Sequence, residues 1–185
     1  MAAAHNGVCF VTVGTTRFDA LVERFEDPGV HDELKTLGVN RVLLQIGHGK
    51  DLDSGVAGAS TKQSSKLLPM ESFRFSPSIE AHMRGARLVV SHAGAGSIME
   101  ALGLRAPLLV VVNDALMDNH QAELADALAL RNHLVRTTPR QLTDALADFP
   151  AALTPYPSVD LGAFPALVDD TMGFTPPASG HEKES

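Results

Sequence analysis

Short apolar runs alternate with segments of helical spacing along most of the chain. In the first such segment Phe18, Leu21, Val22 and Phe25 recur three to four positions apart, which predicts a helix. The apolar runs predict strands at Val8–Val13, Val42–Ile46, Leu88–Ser91, Pro107–Val112 and Leu134–Thr137, and Phe73 and Phe75 mark a further short strand. Strand and helix alternate throughout, so we predict an α/β fold with a doubly wound, mostly parallel, Rossmann-like sheet and right-handed crossovers.

The segments between these strands carry helix signals of their own. Ile98, Ala101 and Leu102 share one helix face, and another helix is predicted from about Asn119 to Leu130. Ser76-Pro77 is predicted to open a helix that runs to about Arg84, and Thr138, Pro139 and Gln141 have the spacing of a capping box. The continuous apolar run Pro107–Val112 predicts a central strand that is buried on both faces.

Length and composition indicate one domain followed by a tail. The 185 residues, 44% of them apolar, suit a single core. We predict a Rossmann-like domain over residues 1–149, a C-terminal segment over 150–174 and a disordered tail over 175–185. Residues 48–69 are predicted to be mostly loop, and we assign no role to 50–69.

Charge and cysteine usage exclude several classes of protein. A net charge of -7 argues against a nucleic-acid partner, because nucleic-acid binding needs a concentrated basic surface. Cys9 lies in an apolar run, as expected for a buried thiol in a reducing cytosol. No apolar run reaches the roughly 20 residues that cross a bilayer, and the N-terminus lacks the pattern of a secretory signal. We therefore expect a soluble chain that reaches any lipid-linked substrate through another protein.

The glycine-rich segment that follows the strand at Leu88–Ser91 is the strongest chemical signal. It reads His92, Ala93, Gly94, Ala95, Gly96, Ser97 and leads directly into a helix. Small residues there let an anion approach the backbone amides at the positive end of the helix dipole, so a diphosphate could bind without a metal. A tight strand-to-helix turn also needs glycine for its backbone angles, and the turn alone does not decide between the two.

Other well-known motifs fit the sequence poorly. A dinucleotide fingerprint would place its third glycine at Met99, and Gly49-Lys50 is followed by Asp51 where a P-loop has Ser or Thr. The sequence around Ser97 lacks the second glycine of a nucleophile elbow. The eight histidines include no His-Glu-x-x-His pattern, so we predict no metal site.

Three further groups could contact a nucleotide sugar. Glu100 lies one helical turn after Ser97 and could bind the two hydroxyls of a ribose, although it could equally be a solvated helix carboxylate. Gly14-Thr15-Thr16 ends the first strand with amides and hydroxyls that could bind phosphates or cap the next helix. The polar segment that ends in Asn119, His120 and Gln121 suits sugar hydroxyls, although Asn119 could simply cap the helix.

Four motifs together resemble one family. They are Phe10 to Thr16, Leu44 to Gly47, Ser91 to Ser97 and Val112 to Gln121, in that order along the chain. This combination resembles the catalytic subunit of the UDP-N-acetylglucosamine transferase of N-glycan assembly, a member of glycosyltransferase family 28 with the GT-B architecture. The similarity covers roughly Val8 to Ala147 and is weaker through Phe174.

The resemblance implies a function that composition alone does not reveal. The chain would be the C-terminal half of a GT-B enzyme, paired with a membrane-anchored subunit that binds the acceptor. Together they would transfer N-acetylglucosamine from UDP-GlcNAc to GlcNAc-diphosphodolichol, with inversion, on the cytosolic face of the endoplasmic reticulum. This activity is that of an N-acetylglucosaminyldiphosphodolichol N-acetylglucosaminyltransferase, and no cofactor or metal is implied.

The same resemblance assigns roles to individual residues. Gly14 to Thr16 and His92 to Ser97 would hold the diphosphate, with His92 stabilising the leaving group, and Glu100 would bind the ribose. Asn119, His120 and Gln121 would face the transferred sugar. The general base could lie on the partner and is not assigned. Tyr156 to Phe174 resembles a helix that docks on the partner.

Two alternatives stay open. The chain could be a non-catalytic nucleotide-binding regulatory module, which the polar Glu100, Asn119 and Gln121 argue against. It could also be a stand-alone transferase with another acceptor, which the lack of an acceptor domain opposes.

Overall fold

The computed structural model describes residues 6–50, 67–113 and 120–157. The strands are β1 Val8–Thr12, β2 Arg41–Gln45, β3 Met70–Phe73, β4 Leu88–His92, β5 Leu108–Val111 and β6 Val135–Thr137. The α-helices are α1 Asp19–Val22, α2 Pro28–Thr36, α3 Glu80–Arg84, α4 Ala95–Gly103, α5 His120–Leu130 and α6 Leu142–Ala147. Short 3-10 helices lie at Glu23–Glu26 and Pro139–Gln141.

All strand pairs in the described part of the chain are parallel, in the order β3-β2-β1-β4-β5-β6. The strand order changes direction between β1 and β4. This is the strand order of a Rossmann fold, so the predicted fold class is confirmed. β5 has a neighbour on each side but lies next to the edge strand β6, so its predicted central position is wrong. The central pair is β1 and β4.

The two faces of the sheet bury separate cores. Cys9 and Val11 point to the face covered by α1, α2 and α6, whereas Phe10 points to the face covered by α3, α4 and α5. This alternation is what a strand requires when helices cover both sides of its sheet. Cys9 is fully buried, as predicted, and burial raises the pKa of its thiol.

The segment between β1 and β2 contains a helix that the apolar spacing did not reveal. The helical turn around Phe25 stops at Asp27, whose carboxylate accepts a hydrogen bond from the Gly29 N–H at 2.8 Å. Pro28 then begins α2, because a proline tolerates the first position of a helix. The Asp-Pro pair was the signal for this break.

Two predicted helix starts differ from the structure. Phe75 lies beyond the end of β3, and α3 begins at Glu80, since Ser76 Oγ donates to the Ser78 carbonyl at 2.7 Å instead of capping a helix. The capping box at Thr138 is absent too. The Thr138 hydroxyl donates to the Gln141 side chain at 3.4 Å, and a 3-10 turn precedes α6.

Within the described ranges, no helix is long and apolar enough to cross a membrane.

Candidate functional site

The two glycine-containing loops lie side by side where the strand order reverses. β1 pairs with β4 so that Thr12 faces Ser91, and the chain leaves both strands at the same edge of the sheet. Gly14 to Thr16 lies just after β1, whereas His92 is the last residue of β4 and Ala93 and Gly94 follow it. In open α/β sheets, ligands bind outside the carboxyl ends of the strands at this kind of reversal.

The imidazole of His92 packs against both loops. A Cβ at Gly14 would lie 2.9 Å from His92 Cε1, and a Cβ at Gly94 would lie 2.7 Å from the same atom. Gly14 also has a positive φ of 61°, a conformation that favours glycine, whereas Gly94 does not. A side chain at position 94 would therefore have to displace the histidine ring, a reason for glycine that differs from the expected close approach of a ligand.

The ring of His92 is mostly enclosed by the protein at this junction. Its Nδ1 atom is buried and makes no hydrogen bond of strict geometry within the described part of the chain. Burial lowers the pKa of His92, and a hydrogen bond with the Thr12 backbone opposes that shift. Buried polar atoms normally have partners, and the Thr12 backbone is the group that the protein itself offers this ring.

The first turn of α4 presents backbone amides beside this ring. No side chain among the described residues caps the helix, whose first hydrogen bond runs from the Ile98 N–H to the Gly94 carbonyl at 3.0 Å. The N–H groups of Ala95, Gly96 and Ser97 precede that bond and lie at the positive end of the helix dipole. This turn can therefore bind an anion.

Gly96 has no structural requirement for glycine within the described residues. Its φ is not positive, and a Cβ there would meet no atom of the described chain within 4 Å. Glycine inside a helix costs roughly 1 kcal/mol relative to alanine. Its position at the open first turn of α4 is consistent with space for a ligand. Ala93, in contrast, is buried and packs into the core.

The loop after β1 has fewer available amides than the sequence suggested. The Gly14 N–H donates to Thr12 Oγ1 at 3.0 Å, and the Thr16 N–H donates to the Val13 carbonyl at 3.2 Å. The Thr16 hydroxyl also donates to Val13, at 2.7 Å. The expectation of free amides is thus wrong for Gly14 and Thr16. The Thr15 N–H makes no hydrogen bond within the described residues.

A buried polar pair that sequence reasoning missed fixes this loop. Thr12 and Gln45 are direct partners at the ends of β1 and β2, and Thr12 Oγ1 donates to Gln45 Oε1 at 2.6 Å. The same hydroxyl oxygen accepts from the Gly14 N–H. A polar residue at the end of each of two apolar strands was the signal that could have revealed it.

The structure describes some of the remaining predicted site residues fully and others only in part. Ser97 and Glu100 are partly exposed residues one turn apart on α4, while Ile98, Ala101 and Leu102 face the core as predicted. His120 and Gln121 begin α5, which follows β5. The structure describes the backbone of these two residues but not their side chains. Asn119 lies outside the described residues.

A separate cavity opens at the opposite edge of the sheet. It has a volume of about 190 Å³ and is lined by residues that precede or begin β4, β5 and β6, including Arg87, Pro107 and His133. Tyr156, which also lines it, packs edge to face on His133 at 5.3 Å. None of the predicted site residues lines this cavity, and parallel sheets bind their ligands at the other edge. The rest of the predicted docking segment, 158–174, lies outside the described residues.

No group of three or more potential metal-binding side chains converges within the described ranges. At the edge where β1 and β4 end, the described groups that a ligand could contact are backbone N–H groups, hydroxyls, His92 and Glu100.

Comparison with known proteins identifies the family. Residues 8–154 match the glycosyltransferase family 28 C-terminal domain. The chain belongs to this family. The resemblance carried by the four motifs is thereby confirmed.

Two relatives show how the chain aligns. The human protein named UDP-N-acetylglucosamine transferase subunit ALG13 is 41% identical over 134 residues, which cover 72% of this chain and 11% of the human protein. The chain thus spans about a tenth of that relative's length. A protein of the same name from Cryptococcus neoformans is 31% identical over 198 residues, covering 92% of this chain and 99% of the relative.

Solved structures agree with the fold. The NMR solution structure of ALG13 superposes with a TM-score of 0.63 at 28% identity, covering 91% of this chain and 98% of that one. The crystal structure of Acinetobacter baumannii MurG gives a TM-score of 0.55 at 19% identity and covers 89% of this chain but 42% of MurG. The likeness to MurG shows a shared fold alone, and in MurG this fold is part of a longer chain.

Proposed function

We propose that this chain is the donor-binding, catalytic subunit of an inverting GT-B transferase. It moves N-acetylglucosamine from UDP-GlcNAc to GlcNAc-diphosphodolichol and gives GlcNAc2-diphosphodolichol for N-linked glycan synthesis. Membership of family 28 and the names of the relatives support this activity. The observation that carries it is the uncapped first turn of α4, which lies beside the His92 ring where the strand order reverses.

The diphosphate of UDP occupies the junction of the two loops. Amides of Ala95, Gly96 and Ser97 point to its oxygens from one side, and the Thr15 N–H and hydroxyl approach from the other. His92 lies between them, packed on Gly14 and Gly94. Amides at a helix N-terminus and a nearby imidazole suit a doubly charged phosphate group.

These groups stabilise the charge that develops as UDP departs. The acceptor hydroxyl attacks the anomeric carbon of the sugar from the face opposite UDP, the bond to the β-phosphate oxygen breaks, and its electron pair stays on UDP. Fixed donors aimed at that oxygen lower the barrier without rearranging during the reaction. In this proposal, His92 and the amides replace the divalent ion that other transferases use. The base that accepts the hydroxyl proton is left to the partner.

The remaining site residues bind the nucleoside and the sugar. Glu100 lies one turn further along α4 than Ser97, where its carboxylate accepts hydrogen bonds from the two ribose hydroxyls. Asn119, His120 and Gln121 contact the transferred sugar. The relatives are named as subunits, which supports a partner. We propose a membrane-anchored, acceptor-binding subunit that holds this chain at the cytosolic face of the endoplasmic reticulum.

The test is transfer of radiolabelled GlcNAc from UDP-GlcNAc to GlcNAc-diphosphodolichol in membranes. The chain is assayed alone and co-expressed with the membrane subunit, and we expect product only from the pair. His92→Ala in the pair should lower kcat by roughly 10²- to 10³-fold, the usual cost of removing one charge-stabilising donor. The control is Arg41→Ala, which changes an exposed residue at the opposite edge of the sheet.

Three outcomes would change the proposal. Product from the chain alone would mean a complete catalyst with no need of a partner. No product from either preparation, with UDP binding intact, would favour a nucleotide-binding regulatory module. Full activity of His92→Ala would remove the histidine from the mechanism.

A further inference from the structure

The turn after β2 packs directly on the loop after β1. Gly47 has a φ of 52°, and a Cβ there would lie 2.5 Å from the Thr16 carbonyl oxygen and 2.8 Å from that of Gly14. The His48 N–H also donates to the Thr16 carbonyl at 3.2 Å. The loop after β1 is therefore held by a second loop as well as by its own strand.

The side chain of His48 also contacts Thr15, which lies between Gly14 and Thr16. Its Nδ1 lies 2.5 Å from the Thr15 carbonyl oxygen. Because a carbonyl only accepts hydrogen bonds, Nδ1 must carry the proton in this contact. The ring also packs edge to face on Phe75, with the ring centroids 4.9 Å apart.

An arginine from the neighbouring strand end fixes the turn that carries His48. Arg74 Nη1 donates to the carbonyls of Gly47 and Gly49, at 3.2 and 2.9 Å. Arg74 thus holds this turn from the β3 side, and the same turn contacts the loop after β1. His48 is exposed and does not depend on burial in the core for its position.

These contacts fix the peptide that follows Thr15. Its N–H, that of Thr16, donates to Val13, and its carbonyl, that of Thr15, accepts from His48. Two residues before Thr16, the N–H of Gly14 is held by Thr12. Between these two fixed peptides lies the Thr15 N–H, which makes no hydrogen bond within the described residues.

We propose that His48 is a positioning residue of the donor site. It fixes the Thr15–Thr16 peptide, so that the Thr15 N–H already points to the diphosphate before the nucleotide binds. This inference rests on the proposed function, because it needs a diphosphate at the loop. Donors that are fixed in advance bind more tightly, since less conformational freedom is lost on binding.

The test compares UDP and uridine binding to the full chain by calorimetry. His48→Ala should weaken UDP binding about tenfold, the effect of losing roughly one good hydrogen bond, and should leave uridine binding unchanged. His48→Asn places an amide donor close to the position of Nδ1 and should restore most of the UDP affinity. Arg41→Ala, at the opposite edge, is the control.

A second measurement does not depend on any ligand. Amide hydrogen exchange of the Thr16 N–H, measured without nucleotide, should be about tenfold faster in His48→Ala than in the wild type, because the peptide is released at its carbonyl end. Equal exchange rates in the two proteins would overturn the positioning role.

The outcomes separate this inference from the proposed function. Unchanged UDP affinity in His48→Ala, or equal losses of UDP and uridine affinity, would overturn the role of His48 while leaving UDP binding established. Failure of the wild-type chain to bind UDP would contradict the proposed function itself, and the exchange rates would still decide whether His48 fixes the loop.

Discussion

The imidazole of His92 occupies the space that a side chain at position 14 would need. A Cβ on Gly14 would lie 2.9 Å from His92 Cε1, so the loop after β1 and the loop after β4 meet through one ring. The two loops belong to the adjacent central strands, where the strand order reverses. The position of His92 therefore depends on a residue that lies far from it in sequence.

Gly14→Ala should damage both stability and nucleotide binding. Its φ of 61° strains any other residue, which costs about 1–3 kcal/mol of unfolding free energy, and its Cβ also displaces the His92 ring. Gly38→Ala is the matched control, because Gly38 has a φ of 81° but its Cβ would meet only the Arg87 side chain, at 3.7 Å. Chemical denaturation and UDP titration measure the two effects. Equal UDP affinity in the two variants would contradict the contact with His92.

Acidification should destabilise the fold partly through His92. Burial lowers its pKa below the ordinary value of 6.5, so the unfolded chain binds a proton that the folded chain resists. The stabilising contribution of neutral His92 is complete above pH 6.5 and falls as the pH drops from 6.5 towards the lowered pKa of the folded state. His92→Gln should therefore lose less stability than the wild type over this window.

Denaturation at a series of pH values checks the sign of this difference. Subtracting the two stability curves removes contributions from the other histidines. A wild type that gained stability relative to His92→Gln on acidification would show that the folded state holds His92 charged.

Thr12→Val should lower the unfolding free energy by about 1–3 kcal/mol, because it keeps the shape of the side chain but leaves buried Gln45 and the Gly14 N–H without their partner. Thr137→Val is the comparison. Thr137 is also buried at a strand end, but its hydroxyl makes only a long hydrogen bond of 3.5 Å to the Thr138 carbonyl. Loss of the Thr137 hydroxyl should therefore lower the unfolding free energy by less than Thr12→Val does.

A double-mutant cycle separates the pair from its surroundings. Thr12→Val combined with Gln45→Leu should cost less than the sum of the two single changes, because the second removes the polar group that the first left unpaired. Strictly additive losses would mean that the 2.6 Å contact contributes no coupling.

The strands and the main loop were predictable because each has a strong local signal. β5 is a continuous apolar run and β4 begins with one, Leu88 to Val90. Where a predicted limit of these strands differs from the observed one, it differs by one residue. Gly94 and Gly96 mark the start of α4 in the sequence. The break at Asp27-Pro28 and the helix after it were missed because the prediction followed the apolar spacing only as far as Phe25, whereas a cap and a proline begin a second helix there.

The details of the site depend on register, which the sequence does not display. Thr12 meets Gln45 only because β1 and β2 pair in parallel at one particular offset. His48 reaches Thr15 for the same reason, across 33 positions of sequence. The sequence could predict that glycine loops would gather at one edge of the sheet, but not which of their amides are already used within the protein.

The most direct test of the central claim is to map UDP onto the backbone amides of the full chain by NMR titration. We predict the largest shift changes at Thr15, Ala95, Gly96 and Ser97, with small changes around Arg87 and His133 at the opposite edge. Shift changes confined to the cavity at that opposite edge, with the amides of α4 unaffected, would contradict a diphosphate site at the junction of the two loops.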